Sequence, residues 1–306
     1  MLVEPSELLA ALRLPLASQL DVEPLGLALD APDEVVIRTP DGGEMVVLVR
    51  RSRESDLAEN NIAVLERLNA SGFRYAPQLL AVLDGAAVEQ EVQGVRALGI
   101  IPPDGSCEAA IDALAALHTL PVREGLRWGT SPADLFPEGD VPLHRLGFTA
   151  TERDVARPLF AAARDALLAS PFGFCHGGSI ATNVLLLPDA AQLVNFEQAG
   201  YGPQLLDVVA FLLTMGLYAE QRRDLALRYA RARSLEPDPT ADLIDLLGIS
   251  WGISEQLVLP RRLIESYGDE LTVSALRTVA GRIDEGMRDP AGRHPVAAGI
   301  RAALWQ

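Results

Sequence analysis

The order of local patterns in residues 34–92 is the feature that most restricts the fold of this chain. Two Val-rich runs flank the turn Pro40–Gly43, and this arrangement predicts a β-hairpin over residues 34–50. Apolar residues at helical spacing predict a helix from Leu57 to Leu68, and a second hairpin pattern surrounds Asp84-Gly85. The order strand, strand, helix, strand, strand therefore predicts a small antiparallel sheet that carries one helix.

The character of the sequence changes to helical from about Cys107. The segments CEAAIDALAALHTLPV and ERDVARPLFAAARDALLAS are rich in good helix formers, and most of the last hundred residues have helical patterns between Pro-rich breaks. The exception is a hairpin pattern in residues 175–197, where VLLL and QLVNFE flank the turn PDAA. We therefore expect an α+β protein with a small β-rich N-lobe at residues 1–95 and a larger, mostly helical C-lobe at residues 96–306.

Composition argues against several partners and cofactors. The formal net charge is -16 and the sequence pI is near 4.7, so the surface repels nucleic acid and anionic membranes, and neither is an expected partner. None of the 306 residues is a lysine, which excludes a Walker-A nucleotide site and a pyridoxal-phosphate Schiff base. Cys107 and Cys175 are expected to be reduced thiols, and no secretory signal pattern is present, so we expect a cytoplasmic protein.

The segment FCHGGSIATNVLL, Phe174–Leu186, has the most informative spacing. His176, Gly178 and Asn183 form the pattern His-x-Gly-x-x-x-x-Asn. It differs at one position from the phosphoryl-transfer loop His-x-Asp-x-x-x-x-Asn, in which the Asp accepts the proton of the attacking hydroxyl and the Asn binds Mg²⁺. Gly178 has no side chain that could act as this base.

Six segments, in order, make the chain similar to the aminoglycoside phosphotransferase family, which includes choline-kinase-like small-molecule kinases. They extend from about Val35 to Ala210 and read VVLVR, NNIAVLERL, APQLLAVLDG leading to VEQEVQG, LAALHTLPV, CHGGSIATNVLL, and LVNFEQAGYGPQLLDVVAFL. The resemblance implies a protein-kinase-like two-lobe fold. It also implies an activity in which a phosphoryl group passes from ATP, with Mg²⁺, to a hydroxyl of a small molecule.

Most of the functional positions that the resemblance implies are replaced in this chain. The Lys that grips the nucleotide phosphates corresponds to Arg50, whose planar guanidinium binds differently from an ammonium. The helix Glu that holds this Lys corresponds to Asn61, with Glu59 as an alternative after a rotation of the helix. The Mg²⁺-binding Asp corresponds to Asn195, so Asn183 and Asn195 together could offer only weak metal ligands.

Positions with a structural role in the family are kept. His176 belongs to the frame of the loop, and Gly202 and Asp207 match a run in which the Asp braces the catalytic loop from a helix start. A structural role is also expected for His118, near the end of its helix. The turn before the first strand pair has no glycine and includes three acids, Asp30, Asp33 and Glu34. These acids would repel a polyphosphate.

Two functions remain open from the sequence. Loss of a positioned base typically lowers a rate by about 10²- to 10⁴-fold, so the first hypothesis is an impaired pseudoenzyme that needs no cofactor and binds an unknown small molecule or protein. The alternative is a divergent phosphotransferase that uses Mg²⁺ and ATP on a hydroxyl of an aminoglycoside-, choline- or sugar-like substrate. Glu197, Asp189 or C-terminal acids would then take new roles. Those C-terminal acids, which could also bind a cationic substrate or merely solvate a surface, are Asp242, Asp245, Glu255, Glu265, Asp269 and Glu270.

Overall fold

The computed structural model of the chain describes residues 4–24, 33–50, 55–92, 94–96, 102–122 and 150–248. Its helices are α1 (Pro5–Ala11), α2 (Ser55–Ala70), α3 (Ser106–Leu117), α4 (Ala150–Leu168), α5 (Leu205–Thr214) and α6 (Ala219–Ala232), and residues 237–248 are also helical. Its strands are β1 (Gln19–Pro24), β2 (Asp33–Arg38), β3 (Glu44–Arg50), β4 (Leu79–Leu83), β5 (Ala86–Gln90), β6 (Val95–Arg96), β7 (Phe172–Cys175), β8 (Val184–Leu187), β9 (Ala190–Leu193) and β10 (Gly200–Pro203).

The N-terminal part is built on a five-stranded antiparallel sheet with the strand order β1-β2-β3-β5-β4. The two predicted hairpins are confirmed as β2-β3 and β4-β5. Gly42 and Gly85 occupy their turns with φ angles of 88° and 73°, which glycine adopts without strain. One face of the sheet packs on α1, and the buried residues of this cluster are Leu8, Leu9, Val35, Ile37, Val47, Val49, Ala86 and Val88. Neither α1 nor β1 was predicted from the sequence.

The opposite face of the sheet carries charged side chains. Leu48 pairs with Glu89 and Arg50 pairs with Ala87, and directly opposed residues of antiparallel strands share a face. Glu34 pairs with Leu48 from the other side, so it belongs to the same face. The predicted helix, α2, packs against β4 and β5. Since Asn61 of α2 donates to Glu89, the helix lies over the β4-β5 side of this charged face.

The C-terminal part surrounds the predicted hairpin, which is confirmed as β8-β9. Helices α3, α5 and α6 pack together around it, and α2 joins their core through Val64, Leu65 and Leu68. β6 pairs with β8, and β10 pairs with β7, so neither belongs to the five-stranded sheet. The change from one sheet to the next falls between residues 90 and 95. The division into lobes at residue 95 stays a prediction.

Two expectations from composition can be compared with the described residues. Cys107 and Cys175 are both free and buried, as expected of reduced thiols. Within the described ranges, no helix is both long enough and apolar enough to cross a bilayer. Asp30 and the acids beyond residue 248, including Glu255 and Glu265, lie outside the described residues.

Candidate functional site

Asp207, in the first turn of α5, connects the parts of the candidate site. Its Oδ2 accepts a hydrogen bond from the backbone N–H of His176 at 2.6 Å, and its Oδ1 accepts one from Gly177 at 3.0 Å. The Nε2 atom of His118 lies 3.0 Å from Oδ2. The Ser179 hydroxyl donates to the backbone carbonyl of Asp207 at 2.7 Å. One buried carboxylate therefore holds the loop through two main-chain N–H groups and joins it to the end of α3.

The charge of Asp207 is maintained by its hydrogen bonds. Burial raises the pKa of this carboxyl, but the hydrogen bond and charge interaction with His118, with the contacts to His176, outweigh burial, and the pKa lies below its ordinary value. The Tyr229 hydroxyl lies 2.7 Å from Nδ1 of His118. Burial raises the pKa of Tyr229, so its hydroxyl keeps its proton and can donate to Nδ1. His118 then donates from Nε2 to Asp207.

His176 is fully buried and has both ring nitrogens satisfied by the main chain. The N–H of Gly178 donates to its Nδ1 at 3.3 Å, and its Nε2 donates to the carbonyl of Val194 at 3.1 Å. Burial lowers the pKa of this imidazole, although Asp207 acts in the opposite direction. A neutral ring that connects the loop with the segment after the hairpin supports the expected structural role.

The two glycines of the loop have different structural requirements. Gly177 has a φ angle of 78°, and a Cβ atom there would collide with the carbonyl oxygen of Gln198. Gly178 has an ordinary backbone conformation, and the nearest heavy atom to its Cβ position is Nδ2 of Asn183, at 3.6 Å. That amide nitrogen donates to the carbonyl of Gly178 at 2.8 Å. Asn183 therefore braces the loop at the position where the family has its base.

Arg50 pairs with an acid that the sequence analysis did not consider. Its Nε donates to Oε1 of Glu89 at 3.1 Å, and the side chains are only 8% and 1% exposed. Asn61, on α2, donates from Nδ2 to the same oxygen at 3.2 Å. Glu59 is exposed, so the expectation that it could replace the helix acid is wrong. A glutamate at position 61 would instead bring a second buried carboxylate against Glu89.

α2 is joined to the segment after the hairpin by two consecutive asparagines. The backbone N–H of Phe196 donates to Oδ1 of Asn61 at 2.9 Å. Asn60 donates from Nδ2 to the carbonyls of Glu197 and Ala199, each at 2.9 Å. The sequence analysis did not identify Asn60. An Asn-Asn pair inside a helix could have indicated it, because such residues lower helix propensity unless their side chains find partners.

The residues at the metal position do not fit a resident Mg²⁺ ion. Asn183 precedes β8 and Asn195 follows β9, so both lie at the open end of the hairpin. Asn195 has a left-handed φ of 66°, and its Oδ1 is buried without a hydrogen-bond donor. Amide oxygens carry no charge, whereas Mg²⁺ sites in proteins usually include at least one carboxylate. Glu197 is the acid that this segment keeps, and it is half-buried.

Other acids proposed for new roles are engaged elsewhere. Asp189, which the second hypothesis offered for a new role, lies in the turn between β8 and β9, at the opposite end of the hairpin from Asn183 and Asn195. Its N–H contacts the carbonyl of Asp104, beside a cavity of about 760 Å³ between the start of α3 and α6. Asp242 and Asp245 lie 2.8 and 3.8 Å from Arg223.

The Gly202 position joins the loop strand to α5. Gly202, in β10, pairs with Gly173 of β7. Gln204 follows it, is buried, and donates from Nε2 to the carbonyl of His118 at 2.8 Å. A Cβ atom on Gly173 would collide with the Gln204 amide. This segment therefore fixes the position of Asp207 relative to His118.

Comparison with known proteins connects this geometry to a family. A family model described as the phosphotransferase enzyme family matches residues 25–243. No curated protein sequence matches the chain.

The chain is similar to several solved structures along most of its length. A choline/ethanolamine kinase family protein from Mesorhizobium loti has a TM-score of 0.60 at 17% identity, covering 93% of this chain and 92% of that chain. Macrolide 2′-phosphotransferase MphH from Brachybacterium faecium has a TM-score of 0.59 at 16% identity, covering 90% and 96%. An aminoglycoside phosphotransferase from Alicyclobacillus acidocaldarius has a TM-score of 0.55 at 15% identity, covering 94% and 93%. The predicted α+β, protein-kinase-like two-lobe fold is confirmed.

The loop glycines provide a matched pair of substitutions. We expect Gly177→Ala to lower the free energy of unfolding by more than about 2 kcal/mol, because alanine is strained at this φ and its methyl group meets the Gln198 carbonyl. Gly178→Ala should change it by less than about 1 kcal/mol. Urea unfolding of both variants measures the difference, and equal losses would contradict the described loop geometry.

Asp207→Asn should destabilise the protein by about 3–5 kcal/mol, because it replaces the charged acceptor of a buried hydrogen-bonded group with a neutral amide. Asp112→Asn is the control, since its ion pair with Arg228 is exposed and should contribute less than about 1 kcal/mol. The pKa of Asp207 is lowered, so its contribution is complete above its unfolded pKa of about 3.9 and is lost as pH falls through the folded value. In urea unfolding, the difference in the free energy of unfolding between wild type and Asp207→Asn should decrease below about pH 4. A loss of free energy of unfolding no larger than that of Asp112→Asn would refute the structural role of Asp207.

Proposed function

The chain belongs to the phosphotransferase enzyme family, and from this membership we propose that it is a catalytically impaired kinase-fold protein that acts as a binding module. The observation that carries the proposal is the loop at Gly178. This position has no side chain to accept the proton of an attacking hydroxyl, and the amide of Asn183 is used to hold the Gly178 carbonyl. The frame of a phosphoryl-transfer loop is present, but its base is not.

The magnitudes of the missing contributions support this proposal. Loss of the base alone corresponds to about 10²- to 10⁴-fold in rate. The neutral Asn195 in place of a carboxylate removes the anchor for the ion that neutralises the transferring phosphoryl group. These effects are not additive, because the groups act as a unit. Two losses in one unit nonetheless leave little basis for ordinary turnover.

The surroundings of Arg50 also disfavour a polyphosphate. Its charge is already neutralised by Glu89, and Glu34 lies on the same face of the sheet. A buried ion pair that is already formed offers less attraction to a new anion than an unpaired cation does. We propose that ATP and Mg²⁺ are not resident cofactors, and that the protein works in the cytoplasm, where thiols such as Cys107 and Cys175 stay reduced.

The second candidate is a divergent ATP-dependent phosphotransferase, and one observation favours it. Glu197 is retained beside Asn195 and could supply a carboxylate to this segment. By analogy with the choline/ethanolamine kinase family protein, the macrolide phosphotransferase and the aminoglycoside phosphotransferase described above, the acceptor would then be a hydroxyl of a choline-, sugar- or aminoglycoside-like substrate. A fold shared at this level of identity leaves the choice to experiment.

Unmodified protein should show no magnesium-dependent stabilisation by ATP. A ligand at 100 times its dissociation constant would stabilise the fold by about 2.7 kcal/mol, so we expect thermal melting with millimolar Mg-ATP to match melting without it. The companion measurement is ATP turnover with an aminoglycoside, a choline or a sugar as acceptor. A rate of about 1 s⁻¹ or more, which is ordinary for enzymes, would establish the second candidate instead.

Restoring both carboxylates should restore metal binding before turnover. Gly178→Asp has space, since the nearest heavy atom to its Cβ is 3.6 Å away, and Asn195→Asp keeps a residue type that tolerates the left-handed region. We expect the double variant to be stabilised by Mg-ATP but to hydrolyse ATP only slowly, because Arg50 and Asn61 are left unchanged and Arg50 is already paired with Glu89. Calorimetric titration with Mg-ATP tests this order.

The control for the repair is Gly178→Asn alone, which adds a side chain of nearly the same shape without a charge. It should show no magnesium-dependent binding. Equal binding by the control and the double variant would mean that the carboxylates are not the missing element.

A further inference from the structure

The charged face of the five-stranded sheet has an excess of acid. Its two arginines are already paired, Arg50 with Glu89 at 3.1 Å and Arg38 with both Glu44 and Asp21. Glu34 lies on the same face, one strand from Arg50, and has no ion-pair partner among the described residues. A new ligand at this face therefore meets a region in which positive charge is neutralised and a carboxylate remains.

Two buried side-chain oxygen atoms, at Glu89 and Asn195, lack hydrogen-bond donors. The first is Oε2 of Glu89, a residue that is only 1% exposed, while its Oε1 accepts from Arg50 and Asn61. The second is Oδ1 of Asn195, whose backbone has a left-handed φ of 66°. Buried acceptors without donors are rare in proteins, and each of them can be satisfied only by a group that donates a hydrogen.

Asn61 brings the surroundings of these two acceptors together. Its Nδ2 donates to Glu89, and its Oδ1 accepts from the N–H of Phe196, the residue that follows Asn195. One amide side chain therefore separates the Glu89 carboxylate from the Asn195-Phe196 peptide. The candidate region is the place where β5, α2 and the segment after the hairpin meet at this amide.

We infer that this region binds a compact cation with N–H donors, such as a primary ammonium, in place of a nucleotide phosphate. The inference rests on the proposed function, because it assigns the ligand class of the binding module. Phosphate at neutral pH offers mainly acceptors and would leave Glu89 Oε2 and Asn195 Oδ1 unsatisfied. An ammonium group supplies several donors and a positive charge that the remaining carboxylate, Glu34, favours. The ligand must be compact, because both oxygens are covered.

The nature of the recognition can be tested with two dications of equal charge. Propane-1,3-diamine has N–H donors, and its fully methylated bis-quaternary analogue has none. At equal ionic strength, we expect saturable thermal stabilisation by the diamine and none by the analogue. Equal stabilisation by both would show only counterion attraction to a protein of net charge -16 and would overturn the inference.

Glu89→Gln should raise the dissociation constant of the diamine by about 10- to 100-fold, the loss expected for one hydrogen bond to a charged group. Glu7→Gln changes the net charge equally on α1, against the other face of the sheet, and should leave binding unchanged. If Glu89→Gln does not fold, Asn195→Gly removes the second acceptor at a φ that suits glycine and should weaken binding several-fold.

The outcome is separable from that of the proposed function. This inference is overturned if the protein does not bind the diamine, or if Glu89→Gln and Asn195→Gly bind it as tightly as the unmodified protein does. In either case, an absence of ATP turnover would still support the binding module. ATP turnover by the unmodified protein overturns the proposed function directly, and with it the premise of this inference.

Discussion

The buried carboxylate of Asp207 is the group on which the rest of the site depends. Two consecutive N–H groups of the loop, from His176 and Gly177, point at it, and these donors would otherwise be buried without acceptors. His118 makes a third contact with the carboxylate, and its other ring nitrogen is hydrogen-bonded to Tyr229 on α6. The loop, the end of α3 and two C-terminal helices are thus held by one anion whose hydrogen bonds overcome the cost of burial.

A second buried ion pair organises the cleft differently from the arrangement that the family resemblance implied. In that arrangement the cation on β3 is held by an acid on the helix, so the position of the helix controls the cation. Here the acid is Glu89 on β5, and Arg50 is held within the sheet itself. Asn60 and Asn61 attach α2 to the segment after the hairpin instead. The contacts that hold Arg50 are therefore mostly separate from the contacts that attach α2.

The elements that the sequence predicted correctly are those with local signals. Turn residues such as Gly42 and Gly85 defined the hairpins, and apolar spacing defined α2. α1 and β1 were missed because a seven-residue helix and a six-residue strand that ends at a proline carry weak periodic signals.

The site was predicted in position but not in its pairings. The resemblance located Arg50, Asn61 and Asp207, whereas the contact of Arg50 with Glu89 joins residues 39 apart and that of His118 with Asp207 joins residues 89 apart. Local patterns carry no information about such pairs.

The physical cost of changing each position explains why the frame of the loop can persist without its base. A Cβ atom at position 178 would have only Nδ2 of Asn183 within 4 Å, so the absence of a side chain there costs little packing. The other loop positions have structural requirements: His176 and Asp207 satisfy buried hydrogen-bonding groups, and Gly177 allows a tight backbone turn. A change at any of these three residues therefore lowers the stability of the fold. Catalytic chemistry at this loop can therefore be lost without loss of stability, while the residues that shape the loop cannot.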